Sequence, residues 1–354
     1  MNKEKIAILC DSPLLRTSYS NVGLMLVRIL KDTYSIDWYG FQYVGMPINM
    51  QDYNLFSLLH ISDIESYVKQ QKYAHIIYIR NTWIFSAQNQ VEPVRYFRET
   101  SKDIIVYSPV EEQLLPKRFF YGYGEFYDRL MTMTNTGKET IKKYGYEADV
   151  LYHYFLPDKK ATGKSQDAFL NISYSQDYRK NLGMYFYLAS KYPDKPFIYY
   201  GKTMYYVLND YLELYNIKNM HFPYGVMTTQ TSFKFISDTE LANLYGISKY
   251  YLQTSYKEGF DLTVMEALIN GLIVFMNNDA LHNELFAEFP NAVFVNGGYI
   301  VPEMNQFEYF ALPEEWIDKI DSHLYDSKRG YHLPYKFTQE SVSKSLENIL
   351  NKKN

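Results

Sequence analysis

Four charged residues in the second half of this chain have the types and spacing to hold a phosphorylated, hydroxyl-rich ligand. Glu258 and Glu266 are separated by seven residues, and Arg179 and Lys180 are adjacent. Carboxylates accept hydrogen bonds from hydroxyls, so two acids held apart could grip the hydroxyls of a sugar and of a ribose. Two neighbouring cations suit a diphosphate and the charge that develops on it as it leaves. Each residue also has a plainer reading. Thr263 and Glu266 have the spacing of a capping box, with Glu266 reaching back to the Thr263 amide. Glu258, followed by a glycine, could be a solvated turn acid. Arg179 and Lys180 could be solvated residues in the first turn of a helix, although cations there oppose the helix dipole.

The elements around the two acids follow from hydrophobic pattern. Residues 250–254 form an apolar run that predicts a strand, and residues 272–276 form another. A short amphipathic stretch lies between them. Strand, turn, helix and strand make a βαβ crossover. Gly259 is expected to free the backbone at the turn, and Gly271 to close the helix in the left-handed region. The loop leaves the carboxyl end of a strand and enters a helix amino terminus. Open α/β sheets bind ligands at that edge, and such a terminus attracts anions.

The run EGFDLTVMEALING over residues 258–271 resembles the retaining GT-B glycosyltransferases of the group 1, family 4 class. Glu258, Gly259, Phe260, Glu266, Ala267 and Gly271 match that pattern. Asp261 stands where glycine is common, and Leu272 where small residues are frequent. The resemblance implies an α/β fold of the GT-B kind, two Rossmann-like domains facing each other across a cleft. It implies a hexose transferred with retention from a nucleotide-diphosphate sugar, held by the second domain, to an acceptor held by the first. Glu258, Arg179 and Lys180 would then be catalytic, the two cations neutralising the departing diphosphate. In the family the arginine usually precedes the lysine by several residues; here the two are adjacent. Gly259, Phe260, Asp261, Leu262 and Glu266 would bind the donor. The acceptor's proton would pass to the leaving phosphate, so no protein base, metal or other cofactor is required. UDP-glucose is the donor favoured by family frequency.

The same resemblance places Tyr19, Ser20, Asn21 and Gly23 in the first loop facing the cleft, with an ordinary N-cap at Ser20 or Asn21 as the alternative. Arg80 and Asn81 stand where many relatives carry a histidine, and Glu111 is an acceptor-side candidate. Rival readings are a non-catalytic sugar-nucleotide or glycan-binding protein of this fold, and a GT-B epimerase or phosphorylase. A dinucleotide oxidoreductase is disfavoured because no glycine-rich fingerprint follows the first strand.

The rest of the chain is consistent with two domains. The 354 residues are 47% hydrophobic and 21% charged, with a formal net charge of −4. That balance disfavours nucleic acid as a partner. One cysteine, Cys10, ends an apolar strand and reads as a buried thiol; it excludes an intrachain disulfide. His75 and His153 read as structural. With no apolar run of membrane length and no leader ahead of the first strand, a cytoplasmic protein is expected. The acceptor, whether glycan, lipid or protein, is not specified, and peripheral membrane contact stays open. The expected domains are residues 1–158 and 168–335, joined by a polar linker at 157–167, with a helix over 336–354 returning to the first. Helices are expected at 21–31, 61–72, 136–144, 182–192, 238–245, 313–324 and 339–350. Ser62 is the expected cap of the second. A strand is expected at 150–155.

Overall fold

The computed structural model describes residues 3–15, 17–58, 65–81, 94–101, 103–111, 115, 120, 122–156, 166–173, 178–201, 205–225, 236–300, 308–327 and 330–352. Residues 157–165 of the polar linker and the Ser62 cap lie outside these residues. The chain divides into two compact units, one of Met1–Phe155 with Tyr335–Asn354 and one of Leu156–Pro334.

Unit 1 is built on an eight-stranded sheet. Its strands are β1 (Lys5–Asp11), β2 (Ser35–Phe41), β3 (Ile48–Asn49), β4 (Asn54–Ser57), β5 (Tyr73–Ile79), β6 (Ile104–Ser108), β7 (Arg129–Thr132) and β8 (Ala148–Val150). They lie in the order β3-β4-β2-β1-β5-β6-β7-β8. All neighbours are parallel except β3 and β4. A parallel sheet is covered on both faces, so its central strands read as continuous apolar runs. Ile6, Ala7, Ile8 and Leu9 of β1 are accordingly fully buried. Helix α1 (Ser18–Leu30) starts earlier than its apolar spacing predicts. Its N-cap is Thr17, whose Oγ1 accepts from the Ser20 amide at 3.1 Å, so Ser20 and Asn21 are first-turn residues. Helices α2 (Glu65–Gln70) and α3 (Asn135–Lys142) follow. Of the expected strand at 150–155 only Val150 lies in β8; beyond it the chain leaves the sheet, and the Tyr107 hydroxyl donates to the Leu151 carbonyl at 2.6 Å.

Unit 2 repeats the plan with β9 (Phe169–Ile172), β10 (Phe197–Tyr200), β11 (Met220–His221), β12 (Tyr250–Gln253), β13 (Ile273–Asn277) and β14 (Ala292–Val295). The order is β11-β10-β9-β12-β13-β14, parallel throughout. Its helices are α4 (Leu182–Lys191), α5 (Tyr205–Leu214), α6 (Asp238–Ile247), α7 (Leu262–Ile269), α8 (Ala280–Phe286) and α9 (Pro313–Asp321). The capping box at Ser237 and Glu240 is formed in full. A small antiparallel pair, β15 (Gly298–Ile300) with β16 (Glu308–Phe310), and helix α5 carry no clear periodicity and were not anticipated.

The sequence has 38 tyrosines, and several of them build these cores. Phe169 stacks on Phe197 at 4.7 Å and on Tyr250 at 4.6 Å. The buried Tyr185 and Tyr251 rings send their hydroxyls to the carbonyls of Ile198 and Ile172, at 2.8 and 3.1 Å. A buried tyrosine stays favourable when its hydroxyl has such a partner.

The last helix, α10 (Gln339–Leu350), packs into unit 1. Arg129 donates from Nη1 to the Ile349 carbonyl at 2.6 Å and from Nε to Asp103 at 2.7 Å. His75 Nδ1 meets the same carboxylate at 2.5 Å, which gives His75 a structural task. Burial alone would raise the Asp103 pKa, but His75 and Arg129 bring it below its ordinary value.

Candidate functional site

In each sheet the chain order reverses at the first strand. β1 lies between β2 and β5, and β9 lies between β10 and β12. The loops leaving two such strands diverge to opposite faces, which opens a crevice at their carboxyl ends. In unit 2 the residues predicted to do chemistry fall on those two loops.

After β9 the chain makes a 3-10 turn at Tyr178–Lys180, and Asn181, in the left-handed region at φ 45°, leads into α4. Arg179 and Lys180 therefore sit before the helix and not in its first turn. After β12 the chain runs through Thr254 to Phe260 into α7. The backbones of the two loops are stitched together. The Tyr256 amide donates to the Arg179 carbonyl at 2.7 Å, and Thr254 Oγ1 to the Lys180 carbonyl at 3.1 Å. Gly201, at the end of β10, makes room for the first loop. A Cβ there would lie 1.8 Å from the Ser173 carbonyl oxygen.

Glu258 closes the arrangement. Its carboxylate accepts from Lys180 Nζ at 2.5 Å and from Arg179 Nη1 at 3.0 Å, with its side chain 7% exposed. Arg179 also reaches the Lys257 carbonyl at 3.2 Å. Burial pushes the Glu258 pKa up, but Lys180 and Arg179 outweigh it and lower it to about 2. The carboxylate is thus ionised at neutral pH, and two cations stand at the switch point with one acid between them. Beside them, Tyr178 donates to the buried Glu308 at 2.7 Å, and Lys257 Nζ lies 3.8 Å from the same carboxylate.

Helix α7 differs in its cap from the sequence expectation. The left-handed residue of this loop is Asp261, at φ 65°, and not Gly259. Asp261 is the N-cap, accepting from the Val264 amide at 3.4 Å and from Thr263 Oγ1 at 3.0 Å. Its other oxygen accepts from Gln253 Nε2 and lies 3.2 Å from His282 Nε2. The Asp261 carboxylate is consumed within the protein. Because Asp261 is the cap and the helix begins at Leu262, Thr263 is already inside the helix and cannot be the cap of a box with Glu266; Glu266 instead accepts from the Tyr245 hydroxyl at 2.8 Å. Gly271 does close the helix, at φ 79°. Gly259 and Phe260 are buried, and Leu262 is half-buried at the start of α7, where amides lack partners from a preceding turn.

Residues 204–308 match the family Glycosyl transferases group 1. This stretch contains the β12–α7–β13 unit. No curated protein matches the chain in sequence. Solved structures resemble it over nearly its whole length. Sucrose-phosphate synthase from Thermosynechococcus elongatus is 12% identical with a TM-score of 0.67, covering 99% of this chain and 95% of its own. The fold is GT-B. A trehalose 6-phosphate synthase from Burkholderia multivorans is 10% identical with a TM-score of 0.62, covering 99% of this chain and 96% of its own. The pneumococcal O-GlcNAc transferase GtfA, solved with UDP and GlcNAc, is 14% identical with a TM-score of 0.55. That match covers 86% of this chain and 62% of the other.

Within this GT-B fold the unit 1 candidates separate into two kinds. Ser20 is fully buried, and its hydroxyl returns to the Thr17 carbonyl at 2.9 Å. Gly23 is a packing residue, since a Cβ there would lie 2.4 Å from the Trp38 ring. Tyr19, Asn81 and Glu111 are half-buried and Asn21 is exposed. Sequence reasoning missed Asp11, at the end of β1. It pairs with Arg80 at 2.8 Å and accepts from Thr17 Oγ1 at 2.8 Å. The Arg80 guanidinium lies 3.6 Å from the centre of the Phe41 ring. The available signal was one acid and one cation, each ending an apolar strand. Cys10 is buried, donates to the Tyr19 carbonyl, and burial pushes its thiol pKa up. His153 is buried beside Met133, and burial lowers its pKa to about 3. Among the described residues no helix is long and apolar enough to cross a membrane.

Proposed function

We propose that this protein is a glycosyltransferase that moves a hexose from a nucleotide-diphosphate sugar to an acceptor, with retention of anomeric configuration. The group 1 match and the GT-B fold support sugar transfer. The observation that carries the finer reading is the Arg179–Lys180–Glu258 cluster at the unit 2 switch point.

Its chemistry follows from charge. A diphosphate brings negative charge to Arg179 and Lys180, which already lie within reach of one another through Glu258. Part of their hydrogen bonding transfers to the phosphates, and Glu258 gains acceptor capacity for the hydroxyls of the donor sugar. As the glycosidic bond lengthens, charge grows on the leaving phosphate, and the two fixed cations stabilise it where it forms. The amides at the start of α7 add the positive end of the helix. The acceptor's proton passes to the departing phosphate, with no protein base and no bound metal. Glu266 holds the ribose diol, oriented by the Tyr245 hydroxyl. Tyr19, Asn21, Asn81 and Glu111 supply the acceptor contacts in unit 1. UDP is the proposed carrier, supported by the UDP-bound pneumococcal enzyme, and glucose the proposed sugar.

Lys180→Ala tests the reading. Calorimetry should show nucleoside-diphosphate affinity falling about 10-fold or more, the scale of one charge-assisted contact. Unchanged affinity removes Lys180 from the site. A thermal-shift screen of nucleotide sugars identifies the donor, and a protein shifted by none of them defeats the proposal.

A further inference from the structure

His282 lies fully buried in α8, between two carboxylates. Its Nδ1 is 2.7 Å from Asp279 Oδ2, and its Nε2 is 3.2 Å from Asp261 Oδ2. A neutral imidazole has one N–H, and an ionised carboxylate can only accept. Both contacts are hydrogen bonds only when the ring carries both protons. The two acids are themselves N-caps. Asp279 Oδ1 accepts from the His282 amide at 2.8 Å at the start of α8, and Asp261 caps α7. One buried cation therefore ties two helix starts together.

The connection continues toward Glu258. Gln253 Nε2 donates to Asp261, and Gln253 Oε1 accepts from Ser255 Oγ at 2.8 Å. The Ser255 amide also donates to Gln253 Oε1 at 3.3 Å, and the Ser255 carbonyl accepts from Asn277 Nδ2 at 2.7 Å, so the start of the loop that carries Glu258 is held on both sides. Asp261 also holds a left-handed backbone at φ 65°, which an L-residue adopts at a cost that a local side-chain hydrogen bond offsets. Without the cation, Asp261 and Asp279 would face each other as like charges in a buried site, and that conformation would lose its support.

We propose that His282 is a positioning residue for the Glu258 loop: its doubly donating ring holds Asp261 as the cap of α7 at one end of the loop, and through Gln253 anchors Ser255 at the other, which keeps Glu258 in place against Arg179 and Lys180. This assignment rests on the glycosyltransferase reading for its effect on turnover, though not for its effect on the loop. In His282→Gln both N–H donors sit on one nitrogen, which cannot reach the carboxylates that faced the two separate ring nitrogens, so the loop loosens. The donor sugar, held by Glu258, should feel this more than the free diphosphate, held by the cations and α7 amides.

The test compares His282→Gln with wild type in two ways. Hydrogen exchange should speed up at residues 255–262 and stay unchanged in unit 1. Turnover with the nucleotide sugar should fall up to about 100-fold, as small displacements of a reacting group can cause. Affinity for the free nucleoside diphosphate should change less than about 3-fold. Asp261→Gly removes the carboxylate while suiting the left-handed backbone, and should give the same split if His282→Gln fails to fold. The proposal is overturned if exchange at 255–262 is unaltered. It is equally overturned if nucleotide sugar and free diphosphate weaken together with a general loss of stability. Should the wild type bind no nucleotide sugar, the glycosyltransferase reading fails by itself, and the exchange comparison still decides the role of His282.

Discussion

Glu258 and Glu266 look equivalent on paper and are not equivalent in the molecule. Glu258 is nearly enclosed and held by two cations, whereas Glu266 is half-buried and held by a tyrosine hydroxyl. Removing Glu258 would leave Arg179 and Lys180 close together without their counter-charge. Glu258→Gln keeps the shape and is the better probe. It should lower transfer by orders of magnitude, read by nucleoside-diphosphate release, and near-normal release would withdraw the catalytic role. Glu266→Gln keeps an acceptor for Tyr245, so thermal stability should hardly change. If the carboxylate grips a ribose diol, calorimetry should show nucleotide binding weakened about 10-fold, the scale of one hydrogen bond to a charged group. Unchanged binding would leave Glu266 with its tyrosine contact as its whole task.

At the level of elements, two glycines decide how closely strands, helices and loops approach. Gly23 lets α1 lie on the Trp38 ring, and Gly201 lets β10 end against the Ser173 carbonyl. Overpacking a tight contact costs typically 1–3 kcal/mol, roughly, when side chains can shift. Gly23→Ala should fall in that range, because a ring edge can tilt. Gly201→Ala meets backbone at 1.8 Å and should cost more, while also displacing the Arg179 loop. Urea unfolding ranks the two, and the reverse order would contradict the packing argument. At the other end of unit 1, Arg129 joins β7 to the last turn of α10 and to Asp103. Arg129→Ala should raise hydrogen exchange over residues 339–352 first.

For the whole molecule, the buried titratable groups set opposite pH limits. Glu258 has a folded pKa of about 2 against an ordinary 4.5, so its stabilisation is present above 4.5 and lost as pH falls toward 2. His153 is lowered to about 3 from 6.5, so unfolding takes up a proton below 6.5, and unit 1 weakens as pH falls from there. His282 is raised to about 10 by Asp279 and Asp261 against the opposing effect of burial. Its stabilisation is complete below 6.5 and disappears as pH rises through 10. Denaturant midpoints measured against pH should therefore fall on both sides of neutrality. His153→Leu should flatten the decline between pH 6.5 and 3 in unit 1, and His282→Gln the decline between 6.5 and 10 in unit 2. Profiles that coincide with wild type would mean that these rings do not carry the charge states described.

The sequence by itself determined the α/β class, the order of the principal strands and helices, and the βαβ unit from Tyr250 to Met276 in which the candidate site was expected. Those features are written locally, in apolar runs, cap spacings and the glycine at Gly271. It also paired Glu258 with Lys180, though only through the likeness of its motif to a known pattern. The tertiary structure decided what each polar group faces. Asp261 caps α7 with one oxygen, and Gln253 and His282 converge on the other from other elements. Glu266 turned to Tyr245, which lies 21 residues away in the chain. Asp11 and Arg80, 69 residues apart, met because β1 and β5 are neighbours at the point where the strand order reverses. Local spacing can specify a turn or a helix start, but a buried carboxylate takes whichever donors the fold brings to it, and those are set by sheet order.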